Sequence, residues 1–312
     1  MSGPLERRWR PSWPCPVREV LTQHRRGGGD PTLRTLGEVV WRGSRTPEGT
    51  VTLRVEPCPG VGEVHVQAWG AGAEWALDRL PALLGADDDL SGFVAAHPLV
   101  AEGRRRHPHW RLSRTGLVME SVVPSVIEQK VTGQEAFAGF RRLVRRFGEP
   151  APGPGVERDL WVQPSAERIR TIASWEWLHL HIDPARSRAL VRAAAVADSL
   201  ERLGARGAEE LDRGLRSLPG IGVWTSAEVR ARALGDPDAV SFGDYHVAKD
   251  VGWAVTGAPF TDEQMAEFLE PWRPHRGRVV AYLGMTAGHR PRRGPRMAPR
   301  THLPARPVTR RS

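Results

Sequence analysis

Between Leu36 and Trp69 the apolar positions recur every second residue: Val51, Leu53 and Val55 alternate with Thr52 and Arg54, and Val64, Val66 and Ala68 alternate with His65 and Gln67. Successive side chains of a strand point to opposite faces, so this period predicts strands with one buried face, separated by Gly-rich turns. An amphipathic helix over Glu74 to Leu84 is expected to close this small antiparallel sheet. After Asp87-Asp88-Asp89 the spacing turns helical and stays so to about Gly288. It predicts helices over Val122 to Val131, Gln134 to Phe147, a stretch starting near Pro164-Ser165-Ala166-Glu167, Pro184 to Leu203, Ala208 to Ser217 and Trp224 to Leu234. The expected class is α+β, a small antiparallel β-sheet domain followed by a mainly α domain. Residues 1–30, rich in Arg, Pro and Gly, read as a disordered basic lead-in, residues 31–90 as the sheet domain with its helix, and residues 91–289 as the helical domain. Residues 290–312 read as a disordered Arg/Pro-rich tail that cannot build a core. No internal repeat of fixed period is present.

Composition narrows the function classes. The 312 residues, 40% hydrophobic, suffice for two modest cores. No run of about eighteen apolar residues marks a membrane span, and the first thirteen residues carry Arg7, Arg8 and Arg10 where a signal peptide needs an apolar stretch, so a cytoplasmic, nucleoid-associated monomer is expected. Cys15 and Cys58 are the only cysteines, too few for a four-cysteine zinc or iron-sulfur site, and they read as buried thiols. His179 and His181 lack further ligands at metal spacing, and no cofactor motif is present; neither metal nor cofactor is expected. The net charge of +9 is a weak sign of nucleic-acid binding, because eight arginines and no acid fall between Arg290 and Ser312, leaving the body nearly neutral. A case for DNA must rest on a local site.

That site is sought between Leu218 and Val255. Leu218-Pro219-Gly220-Ile221-Gly222-Val223-Trp224-Thr225 lies between two predicted helices. Pro ends the first, and two glycines around one aliphatic residue permit a tight turn whose amides face outward at a helix N-terminus, where phosphate is favourably held. Ile221 is expected to plug the turn into the core. An ordinary interhelix turn would use the same punctuation. What distinguishes this one is its sequel, a Gly/Pro loop from Gly235 to Gly243 leading to Asp244 at the start of the next helix, twenty positions after Trp224. Asp244 in that place is a natural N-cap, and capping amides would also hold it ionised and oriented.

This ordered set resembles the helix-hairpin-helix DNA glycosylase superfamily, most of all the bacterial 3-methyladenine-DNA glycosylase II type, with which Leu-Pro-Gly-Ile-Gly-x-Trp-Thr and Asp-Tyr are shared. The resemblance spans roughly residues 36–288. It implies a sheet domain followed by a helix-hairpin-helix domain, and a monofunctional enzyme of base excision repair that flips a damaged purine from duplex DNA and hydrolyses its N-glycosidic bond. It implies Asp244 as the catalytic carboxylate and Gly220, Ile221, Gly222 and Thr225 as the DNA-gripping hairpin. Trp224, Glu228 and Tyr245 fall at the base pocket. Trp224 stands where lyase-active relatives carry a lysine; it either stacks on the extruded base or serves the core. Glu228 and Gly284 occupy positions where that family carries aromatic residues, so Glu228 is either a polar pocket group or a solvated surface carboxylate.

Ile127-Glu128-Gln129-Lys130-Val131-Thr132-Gly133 resembles the junction whose residue after Gln fills the gap left by the flipped nucleotide. The wedge position falls on Lys130, where that family usually carries an apolar residue: either Lys130 contacts a phosphate or the orphan base, or Val131 supplies the wedge, or Lys130 is simply solvated. Glu270 to Arg278 resembles the start of the closing helix, either a DNA-backbone contact or a structural entry. Two other readings compete: a non-catalytic hairpin module that binds DNA without needing Asp244, and a glycosylase for oxidised purines. A lyase would need Lys130, Lys249 or the terminal amine as its nucleophile, Trp224 being unable to attack a sugar.

Overall fold

The computed structural model describes residues 3–288 and residue 290. Five strands, β1 (Leu5–Trp9), β2 (Leu33–Leu36), β3 (Val39–Thr46), β4 (Gly49–Cys58) and β5 (Glu63–Trp69), form one antiparallel sheet in the order β1-β5-β4-β3-β2. Val51, Leu53, Val55, Val64, Val66 and Ala68 lie inside it, as the period-two pattern demands. The expected closing helix is broken in two, Ala73–Asp78 and Leu80–Leu83, hinging at Arg79 just ahead of Pro81.

The supposed disordered lead-in is structured. β1 pairs with β5 from Leu5↔Ala68 to Trp9↔Val64, and a short helix, Val17–Leu21, buries Val17 and Leu21 in the sheet core. Arg26 and Asp30 are also buried; the Asp30 carboxylate accepts from the Arg26 and Thr32 amides, and Arg26 pairs with Glu128 at 2.9 Å. The basic composition misled because its partners, Glu63 for Arg10 and Glu128 for Arg26, lie far along the chain. The expected tail lies outside the described residues, except Arg290, whose guanidinium is 3.6 Å from Asp250.

Two helical clusters complete the fold. One gathers Val118–Ile127, Gly133–Phe147, Pro184–Ala195, Ala197–Arg206, Ala208–Arg216 and Val223–Leu234 around Val122, Phe140, Leu143, Leu190 and Ile221. The other packs Pro98–Arg106, Val247–Thr256, Asp262–Leu269 and Arg276–Ala287 around Trp110, Val251, Met265 and Tyr282. A fully buried Arg278–Asp88 pair ties the last helix to the segment leaving the sheet domain. The expected single helix over 184–203 breaks at Val196. The helix expected over 122–131 runs instead from Val118 to Ile127, so Gln129, Lys130 and Val131 stand in a turn, with Lys130 at φ +53°. No helix among the described residues is long and apolar enough to cross a membrane.

Candidate active site

The hairpin helix Val223–Leu234 belongs to the first cluster and the helix Val247–Thr256 to the second, so the loop between them lies across the seam. Ile221 is 5% exposed and plugs the hairpin. Gly220 adopts φ +97°, where a side chain would be strained, and a Cβ there would come within 3.0 Å of Ala189. Gly222 faces open space, and no side chain caps the helix it begins, which leaves the first-turn amides for an outside anion. Thr225 is not at the surface: it is 2% exposed, and its hydroxyl accepts from the Gln129 amide at 2.8 Å. The same Gln129 nitrogen donates to the Gly220 carbonyl at 2.9 Å. Gln129 and Thr225 therefore brace the hairpin from within.

Asp244 and Trp224 meet. The Asp244 Oδ2 accepts from the Trp224 indole N–H at 3.0 Å, and Oδ1 accepts from the His246 and Val247 amides at 2.7 and 3.0 Å. Three N–H groups thus orient one carboxylate at the entry of the helix Val247–Thr256. Trp224, half-buried, has its ring edge committed to this carboxylate.

Glu228 is not a solvated surface carboxylate. One turn beyond Trp224, its Oε1 accepts from the Ser241 hydroxyl at 2.5 Å and its Oε2 from Arg232 at 2.6 Å. Burial alone would raise its carboxyl, but Arg232, Ser241 and Arg26 outweigh that and hold it below the ordinary carboxylate range. Helix and loop are joined by two rungs, Trp224–Asp244 and Glu228–Ser241, so Glu228 fastens the loop that presents Asp244. Ser241 and Arg26 carried no sequence signal, since each finds its partner only on folding.

Tyr245 is set apart from this pair. It is 69% exposed, with the Lys249 ammonium 3.7 Å from its ring centroid. Lys130 is exposed in its turn, whereas Val131 packs against the first cluster, which disfavours it as a wedge. The arginines of the Glu270 to Arg278 segment all have carboxylate partners within the chain, Arg273 at the surface and Arg276 and Arg278 inside. Arg276 pairs with Asp238 at 2.7 Å, Arg273 with Glu270 at 2.7 Å, and Arg278 with Asp88; the buried Arg278–Asp88 pair gives the helix entry a structural part. A Cβ at Gly284 would meet open space. No cluster of three His, Cys, Asp or Glu able to hold a metal occurs among the described residues.

No family model matches the chain. Over 212 residues, 66% of this chain, it is 30% identical to the Mycobacterium tuberculosis "probable bifunctional transcriptional activator/DNA repair enzyme AlkA", of which that region is 39%; the chain thus spans well under half the length of that relative. It is 23% identical over 206 residues, 63% of the chain, to a Bacillus subtilis DNA-3-methyladenine glycosylase, covering 67% of it. In structure it is similar to the 3-methyladenine DNA-glycosylase from Archaeoglobus fulgidus, with a TM-score of 0.73 at 21% identity, covering 90% of this chain and 97% of that one. Sequence relatives and fold agree with the resemblance carried by the hairpin and Asp244.

Proposed function

We propose that this chain, built on the fold of the helix-hairpin-helix glycosylases, is a monofunctional DNA glycosylase of base excision repair that removes alkylated purines from duplex DNA. The observation that carries the reading is the Asp244 carboxylate, held by three N–H donors and joined through Trp224 to a hairpin with an uncapped, outward-facing first turn.

The chemistry follows from that placement. The hairpin amides take a phosphate beside the lesion, and the damaged nucleotide rotates out of the stack. The bond from C1′ to the base nitrogen breaks with its electron pair leaving on the base. An alkylated purine carries positive charge and leaves as a neutral molecule, so little acid catalysis is needed. The sugar is left cationic, and the Asp244 carboxylate stabilises it. Water then adds at C1′ and gives up a proton, leaving an abasic site. The indole face of Trp224 offers a stacking surface, and a cationic ring adds a cation-π attraction.

The test is single-turnover release from matched duplexes carrying 3-methyladenine, 7-methylguanine or 8-oxoguanine. Release of the methylated purines, faster than of the oxidised base, is the expected result. Faster release of 8-oxoguanine would transfer the assignment to oxidised purines, and binding without any release would make the chain a non-catalytic DNA-binding module.

A further inference from the structure

Two of the three left-handed residues outside glycine among the described residues, Lys130 (φ +53°) and His181 (φ +64°), sit in separate turns, and one buried side chain joins them. Arg186, 6% exposed, donates from Nη1 to the Ile127 carbonyl at 2.7 Å, at the end of the helix that leads into the Lys130 turn. Its Nη2 donates to the His181 carbonyl at 3.3 Å, and its Nε to Asp183 at 2.7 Å. A guanidinium fork suits this task, since it caps a carbonyl left without a helical partner while bridging to a second turn. The two turns also flank the same helix: a Cβ on Gly139 would lie 3.5 Å from both Ile127 and Ile182.

The helix that carries Arg186 reaches the hairpin as well. Arg186, Ala189 and Arg192 follow at intervals of three along Pro184–Ala195. Ala189 stands against Gly220, and the Arg192 guanidinium donates to the Pro219 carbonyl at 3.3 Å. From the other side, Gln129 bonds the Lys130 turn to Gly220 and Thr225. One helix and one amide therefore set the distance between the phosphate-gripping hairpin and the Lys130 turn. Non-glycine residues in left-handed backbone are sustained only where the surroundings over-determine them, and here those surroundings are Arg186 and Gln129.

Resting on the glycosylase reading above, we infer that Arg186 and Gln129 are positioning residues for nucleotide extrusion. They hold Lys130 at a fixed offset from the bound phosphate, so that its side chain enters the duplex where the damaged nucleotide leaves. Neither touches the reacting atoms. Their loss acts on the extrusion step and spares bond cleavage once the base is out.

The experiment compares single-turnover release of one methylated purine from a fully paired duplex and from a duplex where the same nucleotide is an unpaired bulge, for wild type, Arg186→Gln, Arg186→Lys and Gln129→Ala, with melting curves for each. Displacement of a positioned group by about an ångström costs on the order of a hundredfold, so release from the paired duplex should fall ten- to a hundredfold in Arg186→Gln and Gln129→Ala. Release from the bulge, read at saturating enzyme so that a loosened hairpin grip does not enter, should stay within about twofold of wild type. Arg186→Lys, which keeps the charge but lacks the fork, should fall between. Equal losses on both substrates, or none on the paired duplex, would overturn the inference; should Arg186→Gln fail to fold, Gln129→Ala, on a partly exposed turn, decides it. Absence of release from both substrates by wild type would refute the glycosylase reading instead.

Discussion

Replacing Asp244 by Asn removes one charge while keeping the shape, and the structure sets what else changes. Oδ1 accepts from two backbone amides and Oδ2 from the Trp224 indole. An asparagine oxygen can keep the two amides only by turning its NH2 toward the indole N–H, donor against donor. One bond is lost and one donor left unpaired, costing about 1–3 kcal/mol of stability, a modest shift in Tm. The catalytic loss is larger. A unit charge about 4 Å from a developing sugar cation contributes roughly 4 kcal/mol at an effective dielectric near 20, which is on the order of a thousandfold in rate. Single-turnover release of 3-methyladenine at saturating enzyme reads the chemical step, and duplex affinity is measured in parallel. Release should fall about a thousandfold while affinity stays within a few-fold, because the hairpin amides are untouched. Release by Asp244→Asn within tenfold of wild type would remove this carboxylate from the mechanism.

Glu228→Gln should slow release less than Asp244→Asn, since it loosens the loop without removing the catalytic group, and should destabilise most at neutral pH. The ion pair with Arg232 holds the Glu228 carboxyl below its unfolded value; its contribution is complete above about pH 4.3 and is lost as pH falls through the depressed folded value. The Tm gap between wild type and Glu228→Gln should therefore narrow in acid, and a gap independent of pH would refute this. Borohydride should trap no covalent DNA complex, because Trp224 cannot form a Schiff base and the Lys249 ammonium rests on the Tyr245 ring; trapping abolished by Lys249→Ala or Lys130→Ala would contradict it. Removing residues 290–312 should lessen the salt dependence of DNA affinity by about 0.9 in log-log slope for each phosphate that the arginines neutralise, with release at saturation unchanged; an unaltered slope would show the arginines idle.

The strands β4 and β5 and several of the helices were legible in the sequence because each is announced by local periodicity, whereas β3, buried on both faces, alternates too little to be read that way, and the hairpin was legible because Pro219, Gly220 and Gly222 punctuate it within a few residues. Asp244 was legible as a carboxylate before a helix, because free amides make a short-range demand on it, but the cap position itself falls on His246, and Asp244 reaches the His246 and Val247 amides from two residues ahead of it. Long-range pairing was not legible. The lead-in read as disordered because neither the β1–β5 register nor the Arg26–Glu128 pair is visible in a window of composition. The partners of Glu228 and Thr225 were not legible because one turn of helix cannot tell which face meets Ser241 or Gln129. That Gln129 faces inward and Lys130 outward was settled by the early end of a helix at Ile127, a boundary that the buried guanidinium of Arg186, fifty-nine residues downstream, helps to hold. Sequence determined the elements and their punctuation; the tertiary structure decided which polar groups meet, since burial demands a partner for each and only packing brings one within reach.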